Sequence, residues 1–372
     1  MATVWLCAIG WALGWLAFGH PRLLPPLRDR GETTSATTRP PSTLSIVIPA
    51  RDEHLSLPLL LGDLARPRPA GAEVLVVDDG STDDTAEIAR SFDFVTLVQP
   101  DPPPPGWAGK PWACHRGAMV ATGEVLCFLD ADVRLAEKAL DAVGHELGLH
   151  GGLVSVQPWH DTERAYEQTS ALFNVISMMG TGIGGRRAPG AAFGPVLMTN
   201  RADYELVGGH EAVAGEVVED VALGHRYRDR DRAVTVLCGG ALVRFRMYPG
   251  GVRSLVQGWT KNFASGAAAT APLRLAAVVV WVTAMGTTIG LAVDGASGKL
   301  GWWPAAAVYG GFVVQLRSMF RTVGRFPLTT ALAYPVLVLT FFAIFFRSLW
   351  MTLVRRRVTW RGRDVALGAG KP

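Results

Sequence analysis

The sequence predicts an α/β protein built on a mostly parallel sheet, with apolar helices at both ends of the chain, and three observations predict it. First, three apolar runs, Ser45-Ile46-Val47-Ile48-Pro49, Val74-Leu75-Val76-Val77 and Leu126-Cys127-Phe128-Leu129, each end in acidic or loop-forming residues. Second, helical patterns alternate with such runs in the βαβ manner of strands joined by crossover helices. Third, mean hydropathy is positive at +0.22 and only 18% of residues are charged, with apolar residues gathered at the two ends. At 372 residues the chain is long enough for one catalytic domain plus a membrane region.

The stretch 3–19 is apolar and just long enough to span a bilayer. It has no Lys or Arg before it and no clear small-residue cleavage site, so residues 1–20 read as a retained anchor and not a signal peptide. Residues 21–41, rich in Pro, Arg and Thr, with Arg22, Arg28 and Arg30 close behind the apolar stretch, read as a juxtamembrane linker on the cytoplasmic side. Residues 42–265 form the catalytic domain in this reading. Its strands are expected over 44–49, 74–78, 95–99, 125–129 and 153–157, and its helices over 55–65, 82–90, 111–121 and 136–147. The segment 163–179 has the length and Met/Phe content of an interfacial helix and is expected to wall the acceptor side. The C-terminal region 272–352 offers three further spans, over 275–293, 300–316 and 330–351, before a basic tail at 353–372. Arg317, Arg321 and Arg325 follow one span, and Arg355, Arg356, Arg357, Arg361 and Arg363 another. Both clusters cannot be cytoplasmic if every segment crosses, so one is re-entrant or interfacial. The expectation is a multi-pass protein of the cell membrane with its catalytic domain in the cytoplasm.

The net charge of +4 comes largely from arginines beside apolar segments, which points to anionic headgroups. No basic stripe interleaved with aromatics appears, so nucleic acid is not an expected partner. Cys7, Cys114, Cys127 and Cys238 form no CxxC pair and read as reduced, buried thiols. His160, His210 and His225 have no zinc-site spacing. His160 and His225 suit packing or hydrogen-bonding roles, whereas Gly208 and Gly209 before His210 would allow close approach to a ligand.

Open α/β sheets bind ligands beyond the carboxyl ends of their strands. Ser81 and Asp84 read as a capping box at the start of the second helix, which makes Asp78-Asp79-Gly80 a tight turn whose carboxylates face the cleft. Asp130-Ala131-Asp132 follows the fourth strand, where a turn brings both carboxylates toward one ion. A hard divalent cation, Mg²⁺ or Mn²⁺, prefers such oxygen ligands and would bridge them to a nucleotide diphosphate, neutralising charge on a departing group. Taken alone, these acids also read as solvated surface carboxylates. Glu219-Asp220 follows a Gly-rich stretch, as a site entering a cleft would.

These residues resemble the inverting, GT-A fold, family 2 glycosyltransferases. The resemblance covers residues 42–265 and rests on Ile48-Pro49-Ala50-Arg51-Asp52-Glu53, Val77-Asp78-Asp79-Gly80-Ser81-Thr82-Asp83, Gly106-Trp107-Ala108-Gly109-Lys110, Asp130-Ala131-Asp132 and Glu219-Asp220. Finer details are similar to the bacterial 4,4'-diaponeurosporenoate glycosyltransferase subgroup, which glycosylates a carotenoid carboxylic acid at the membrane. They are Gln157-Pro158-Trp159-His160, Gly208-Gly209-His210, the run Phe245-Arg246-Met247-Tyr248-Pro249-Gly250-Gly251, and Gln257-Gly258-Trp259-Thr260-Lys261-Asn262.

The resemblance implies that Pro49, Glu53, Asp78 and Asp79 hold the nucleoside of a UDP-sugar and that Lys110 contacts phosphate or uracil. Asp130 and Asp132 would hold the cation, and Asp220, beside Glu219, would be the catalytic base. Each has a plainer reading too: Lys110 as a solvated loop lysine, and Glu53 and Asp220 as caps of the helices that follow them. Gln257, Trp259 and Lys261 fall where processive relatives carry Q-x-x-R-W. The Arg and following Trp of that motif are missing in register, so transfer of a single hexose is expected, with Lys261 supplying a cation near the diphosphate. The implied enzyme is a membrane-bound hexosyltransferase moving glucose from UDP-glucose to a lipophilic acceptor, a carotenoid acid first. A ceramide or polyprenyl-phosphate glycosyltransferase and a non-catalytic nucleotide-sugar scaffold share the donor-side motifs.

Overall fold

The computed structural model describes residues 2–27, 43–66, 71–184, 191–216, 218–297, 302–351, 357–360 and 363–366, with side chains left aside for residues 2, 261–269 and 357–366. Most of the linker read over 21–41 and most of the basic tail lie outside the described residues. The chain divides into two compact units. One comprises Arg22–Trp159 and Gly190–Phe245, and the other Met1–Pro21, His160–Pro189 and Arg246–Pro372.

The first unit is a seven-stranded sheet. From one edge its strands are Val95–Val98, Glu73–Asp78, Leu44–Ala50, Val125–Leu129, Val196–Asn200, Leu153–Gln157 and Val234–Cys238. The first four run parallel. Glu73–Asp78, Leu44–Ala50 and Val125–Leu129 are near-continuous apolar runs buried along most of their length, as strands covered on both faces are, while the edge strand Val95–Val98 is only partly buried. Ile46, Val47 and Ile48 on the first strand are wholly buried. Val196–Asn200, which the sequence reading did not place, runs antiparallel to both neighbours, Val125–Leu129 and Leu153–Gln157. Its amino end therefore lies where its neighbours' carboxyl ends lie.

Alternate residues face opposite sides of a strand. Ile46, Ile48, Val74, Val76, Cys127 and Leu129 join one core with Leu57, Leu60, Leu61 and Leu64 of helix Leu57–Leu64 and with Val143 and Leu147 of helix Ala139–His150. The other face takes helix Gly109–Val120, which sits so low that a side chain at Gly117 would run into Val47 Cγ1 and lie 2.9 Å from Val77 Cγ2.

The expected capping box at Ser81 and Asp84 is not what forms. Helix Thr85–Arg90 starts later than predicted, and Asp84 makes no side-chain cap. Asp78 Oδ1 instead accepts from Ser81 N at 2.9 Å and Asp83 Oδ1 from Thr85 N at 3.0 Å, because short Asp side chains outcompete the helix for nearby amides.

The second unit is helical. It contains Ala2–Phe18, Ser170–Thr181, Val252–Ala269, Pro272–Ala296, Trp302–Val323 and Tyr334–Trp350. A side chain at Gly10 or Gly14 would enter Ala284 Cβ or the Trp281 ring, so small residues set how closely helix Ala2–Phe18 lies on Pro272–Ala296. Polar groups pair between helices: Trp281 Nε1 donates to Gln315 Oε1 at 2.8 Å, Gln315 Nε2 to the Trp11 carbonyl at 2.7 Å, and the Thr288 and Tyr334 hydroxyls lie 2.7 Å apart. Elsewhere in this unit the buried Glu167 accepts from Arg246 Nε at 3.1 Å and Nη2 at 2.8 Å, and from the amides of Glu163 and Arg164.

The reading of four membrane spans is not supported. Among the described residues one helix, Pro272–Ala296, is long and apolar enough to cross a membrane; Thr3–Phe18 and Tyr334–Trp350 are apolar but shorter. The stretch read as 330–351 is broken at Ala333 between Leu328–Leu332 and Tyr334–Trp350, and Trp302–Val323 carries Arg317 and Arg321. The segment read as an interfacial helix walling the acceptor side, 163–179, forms a 3₁₀ turn at Ala165–Thr169 and helix Ser170–Thr181, in which Ser170 through Ile176 are all buried. Its Met and Phe residues serve packing.

The tight crossing at Gly117 gives a direct test. Gly117→Ala overpacks the helix against Val47 and Val77 and lowers stability by ~1–3 kcal/mol in urea unfolding of the detergent-solubilised protein followed by tryptophan fluorescence. An unchanged midpoint would mean that the helix is free to move outward.

Candidate active site

Helix Gly109–Val120 presents Lys110 in its first turn. Lys110 Nζ lies 2.6 Å from Asp130 Oδ1 and 3.0 Å from Glu219 Oε1, so one ammonium joins the turn after the fourth strand to the first residue of helix Glu219–Asp229. Burial works against charge on Lys110, but Asp130 and then Glu219 outweigh it and hold the lysine well above its ordinary pKa. It is a fixed cation.

Asp220 meets this group across Gly194. Gly194 N donates to Asp220 Oδ2 at 2.6 Å. A Cβ at Gly194 would stand 3.1 Å from both Asp220 Oδ2 and Lys110 Nζ, so the bare glycine leaves room for the carboxylate and the ammonium to share one cradle. The segment carrying Gly194 is pinned on both sides. Phe193 exchanges two bonds with Ser155 Oγ, at 2.7 and 2.9 Å, and the Pro195 carbonyl accepts from Asp130 N at 2.9 Å. Desolvation, followed by repulsion from Glu219, raises Asp220 to about 6, with Lys110 and the amides of Val221 and Gly194 pulling the other way.

Asp132 stands two residues beyond Asp130, and both are half-buried. Among the described residues no group of three or more His, Cys, Asp or Glu forms a cage for a metal. The donor chemistry nevertheless fits a hard divalent cation: Asp130 and Asp132 are two carboxylates on one short turn, and Asp130 stands beside Lys110 and Glu219. The remaining coordination would come from ligand oxygens and water.

The ends of the first two strands form a second constellation. Asp78 is buried, with Oδ1 on Ser81 N and Oδ2 accepting from Gln99 Nε2 at 3.0 Å. Its oxygens are used in holding the turn, which corrects the expectation that it faces the cleft. Arg51 Nη1 donates to the Asp79 carbonyl at 3.2 Å and lies 3.6 Å from Asp79 Oδ2. Asp52, at φ +51, accepts from Thr82 N at 2.8 Å, and His54 Nδ1 lies 2.6 Å from Asp83 Oδ2. Burial pushes Asp83 up, but hydrogen bonds from Thr85 and His54 outweigh it and hold the carboxyl at about 2. Glu53 donates its N–H to Thr85 Oγ1 at 2.8 Å, and its carbonyl accepts from Ser56 and Leu57 at the start of helix Leu57–Leu64. Pro49 lies in the first strand opposite Val77.

Lys110, Asp130, Glu219 and Asp220 thus converge, while Pro49, Glu53, Asp78 and Asp79 share the neighbouring strand ends. Gln257, Trp259 and Lys261 belong to the helical unit. Gln257 is exposed. Trp259 is 3% exposed, donates to Ser170 Oγ at 3.1 Å and stacks on Phe173 at 4.8 Å, so its ring is taken up by packing and not by a donor. The side chain of Lys261 lies outside the described residues. His210 is buried with Nδ1 2.9 Å from Tyr204 OH, and burial lowers it to about 3, which keeps the ring neutral. The close approach at Gly209 is to the Tyr204 ring and not to a ligand.

Sequence reasoning missed Gly194, Ser155, Arg51 and Gln99. The Gly194-Pro195 pair before an apolar run was the available signal for the first.

Asp220 gives a stability prediction. Its folded pKa of about 6 lies above the ordinary 3.8, so the folded state binds its proton more tightly. That contribution is full below pH 3.8 and is lost as pH rises through about 6. Asp220→Asn therefore stabilises the protein above pH 6 by on the order of 1–2 kcal/mol, discounted for partial exposure, and has no such effect near pH 4. Denaturant midpoints across pH 4–8 check both sign and window.

Comparison with known proteins places this geometry. The profile of Glycosyl transferase family 2 matches residues 45–165. The chain is 35% identical over 332 residues to 4,4'-diaponeurosporenoate glycosyltransferase of Staphylococcus aureus strain MRSA252, covering 87% of this chain and 88% of that one. The same protein from strain USA300 matches over the same span at the same identity. In fold, the chain resembles the mannosyltransferase PcManGT from Pyrobaculum calidifontis in complex with GDP-Man and Mn²⁺. That likeness has a TM-score of 0.55 at 21% identity and covers 93% of this chain and 99% of that one. The sheet is thus the mixed, mostly parallel sheet of a GT-A-like fold, and the chain belongs to the family 2 glycosyltransferases, as a relative of the 4,4'-diaponeurosporenoate glycosyltransferases.

Proposed function

We propose that this enzyme moves one hexose, glucose from UDP-glucose, onto the carboxyl group of a carotenoid acid drawn from a membrane. The observation that carries the reaction is the single cradle in which Gly194 brings Asp220 beside Lys110 and Asp130. The acceptor class rests on likeness to relatives named for 4,4'-diaponeurosporenoate. A divalent cation and a nucleotide sugar are supported by the GDP-Man and Mn²⁺ held by the fold relative.

Asp130 and Asp132 would hold the cation, which supplies Lewis-acid neutralisation of the departing diphosphate. Lys110, already charged, adds a positive group on that side. An acceptor oxygen attacks C1 of the sugar as the bond from C1 to the diphosphate oxygen breaks, inverting that carbon. The acceptor's proton passes to Asp220. A base near pKa 6 matches a carboxylic acid whose own pKa is lifted by apolar surroundings, so the two anions that would otherwise repel are reduced to one. Membrane attachment rests on Pro272–Ala296, whose 25 residues span ~37 Å as a helix, more than a bilayer's hydrocarbon core. The catalytic unit then stands on the cytoplasmic side, where nucleotide sugars are made.

A lipid acceptor with a neutral hydroxyl, ceramide for example, is the second reading; a polyprenyl phosphate, whose nucleophile is an ionised phosphate oxygen, shares the donor side only. Asp220 favours the hydroxyl acceptor, because a neutral alcohol needs a general base and this carboxylate is poised as one.

The deciding experiment is UDP release from UDP-glucose by the detergent-solubilised protein with Mg²⁺ or Mn²⁺, with and without a C30 carotenoid acid. Turnover that needs the acid and yields a glycosyl ester supports the proposal. Turnover with ceramide or polyprenyl phosphate alone replaces the acceptor, and tight UDP binding without turnover on any of them makes the protein a scaffold.

Two variants sharpen this test. Asp220→Asn loses ~10²–10⁴-fold in kcat, the range for a removed general base, while UDP binding is retained. The wild-type kcat/KM falls below pH about 6 as Asp220 takes up a proton. Lys110→Met removes the cation that lowers Asp220, so that acidic limb moves to higher pH; a limb that stays in place would dissociate Lys110 from Asp220.

A further inference from the structure

Gln157 ends the strand Leu153–Gln157 and is 4% exposed, yet its side-chain oxygen Oε1 has no hydrogen-bond partner. A buried carbonyl left without a donor carries a desolvation cost, and such groups persist where a ligand or water completes them.

The register shows where this oxygen stands. Ser155 pairs with Leu197 and Leu129 with Val196 on the two sides of the antiparallel strand Val196–Asn200. Extended past the strand ends, the same register sets both Gln157 and Asp130 beside Pro195. Residues two apart share a face. Gln157 therefore projects on the side of Ser155, whose hydroxyl holds Phe193 next to the Gly194 cradle. Two interstrand spacings place Gln157 ~10 Å from Asp130, with Pro195 and the Gly194–Asp220 contact between them. The backbone is fixed as well, since the Gln157 carbonyl accepts from Gly239 N at 2.7 Å.

Chemistry narrows the ligand. The terminal amide offers an acceptor, Oε1, beside a donor, Nε2, so an O–H group, which can both donate and accept, completes it, whereas a diphosphate oxygen or an ionised carboxylate would leave Oε1 without a donor. Hydroxyls reach this site from the sugar or from a protonated acceptor. The sugar fits the placement, because Asp130 and Lys110 take the diphosphate end and Asp220 stands at C1.

We propose that Gln157 is a specificity-determining residue that accepts a hydrogen bond from a hydroxyl of the sugar being transferred. The inference rests on the UDP-hexose reading above and extends it to a residue in none of the proposed roles.

The test compares wild type with the near-isosteric Gln157→Met, using the full chain in detergent, UDP-glucose, its monodeoxy analogues and UDP alone. The expected result has four parts. UDP affinity is unchanged, and the melting temperature is unchanged or higher, since an unpaired buried carbonyl has been removed. The kcat/KM for UDP-glucose falls ~3–10-fold, the worth of one neutral hydrogen bond. One monodeoxy donor loses a similar factor in wild type and nothing further in Gln157→Met. Equal losses in both proteins for every analogue overturn the proposal, as does an effect confined to acceptor KM, which would move the hydroxyl to the acceptor. A lowered melting temperature with sugar discrimination intact also overturns it. A wild-type protein inactive with every UDP-hexose would instead overturn the donor reading itself, and this inference with it.

Discussion

Lys110 is the interaction on which the catalytic unit depends. A single ammonium balances Asp130 from the fourth strand's turn and Glu219 from a helix that begins some ninety residues later in the chain. Without it, Asp130 and Glu219 would lose the cation between them, and the repulsion between Glu219 and Asp220 would go unopposed. The lysine depends in turn on backbone geometry: a helix lowered onto the sheet at Gly117 and a bare Gly194 under its ammonium. Two glycines far apart in sequence thus set the distance between one cation and its acids.

The ends of the first two strands solve a different problem. Asp78, Asp52 and Asp83 are spent on amides and hydroxyls of the turns themselves, so the loops are rigid before any ligand arrives. Preorganisation of this kind lowers the entropic cost of binding. The price is that fewer of these carboxylates remain to touch a ligand than their number in the sequence suggests.

Most of the sheet was legible because period and composition decide it: parallel strands buried on both faces read as Val/Ile/Leu runs, and the acids at their ends stand out against them. Lys110, Asp130 and Glu219-Asp220 could be named from motifs, but their mutual contact could not, since it arises from strand order and not from sequence spacing. Gly194 and Gln157 gave little local signal. Their importance comes from Val196–Asn200 running backwards, a pairing fixed by tertiary contacts. The apolar segments were legible only in part: among the described residues Pro272–Ala296 is long and apolar enough to span a bilayer, whereas Thr3–Phe18 and Tyr334–Trp350 are shorter. Hydropathy cannot tell a helix that meets lipid from one such as Ser170–Thr181, whose apolar residues are covered by protein. Trp259 looked like a ligand contact because its motif did, yet its indole is closed between Ser170 and Phe173.

The reversed strand also orders events during biosynthesis. Strands up to residue 129 can assemble from local βαβ pairings as they emerge, but Val196–Asn200 must close a loop of some seventy residues to dock beside them. Between those two moments the nascent chain holds the turns at its first two strand ends without the Gly194 cradle or Asp220. The contact of Asp220 with Gly194 and Lys110 therefore forms late, only after this central strand has docked and the chain has reached residue 220.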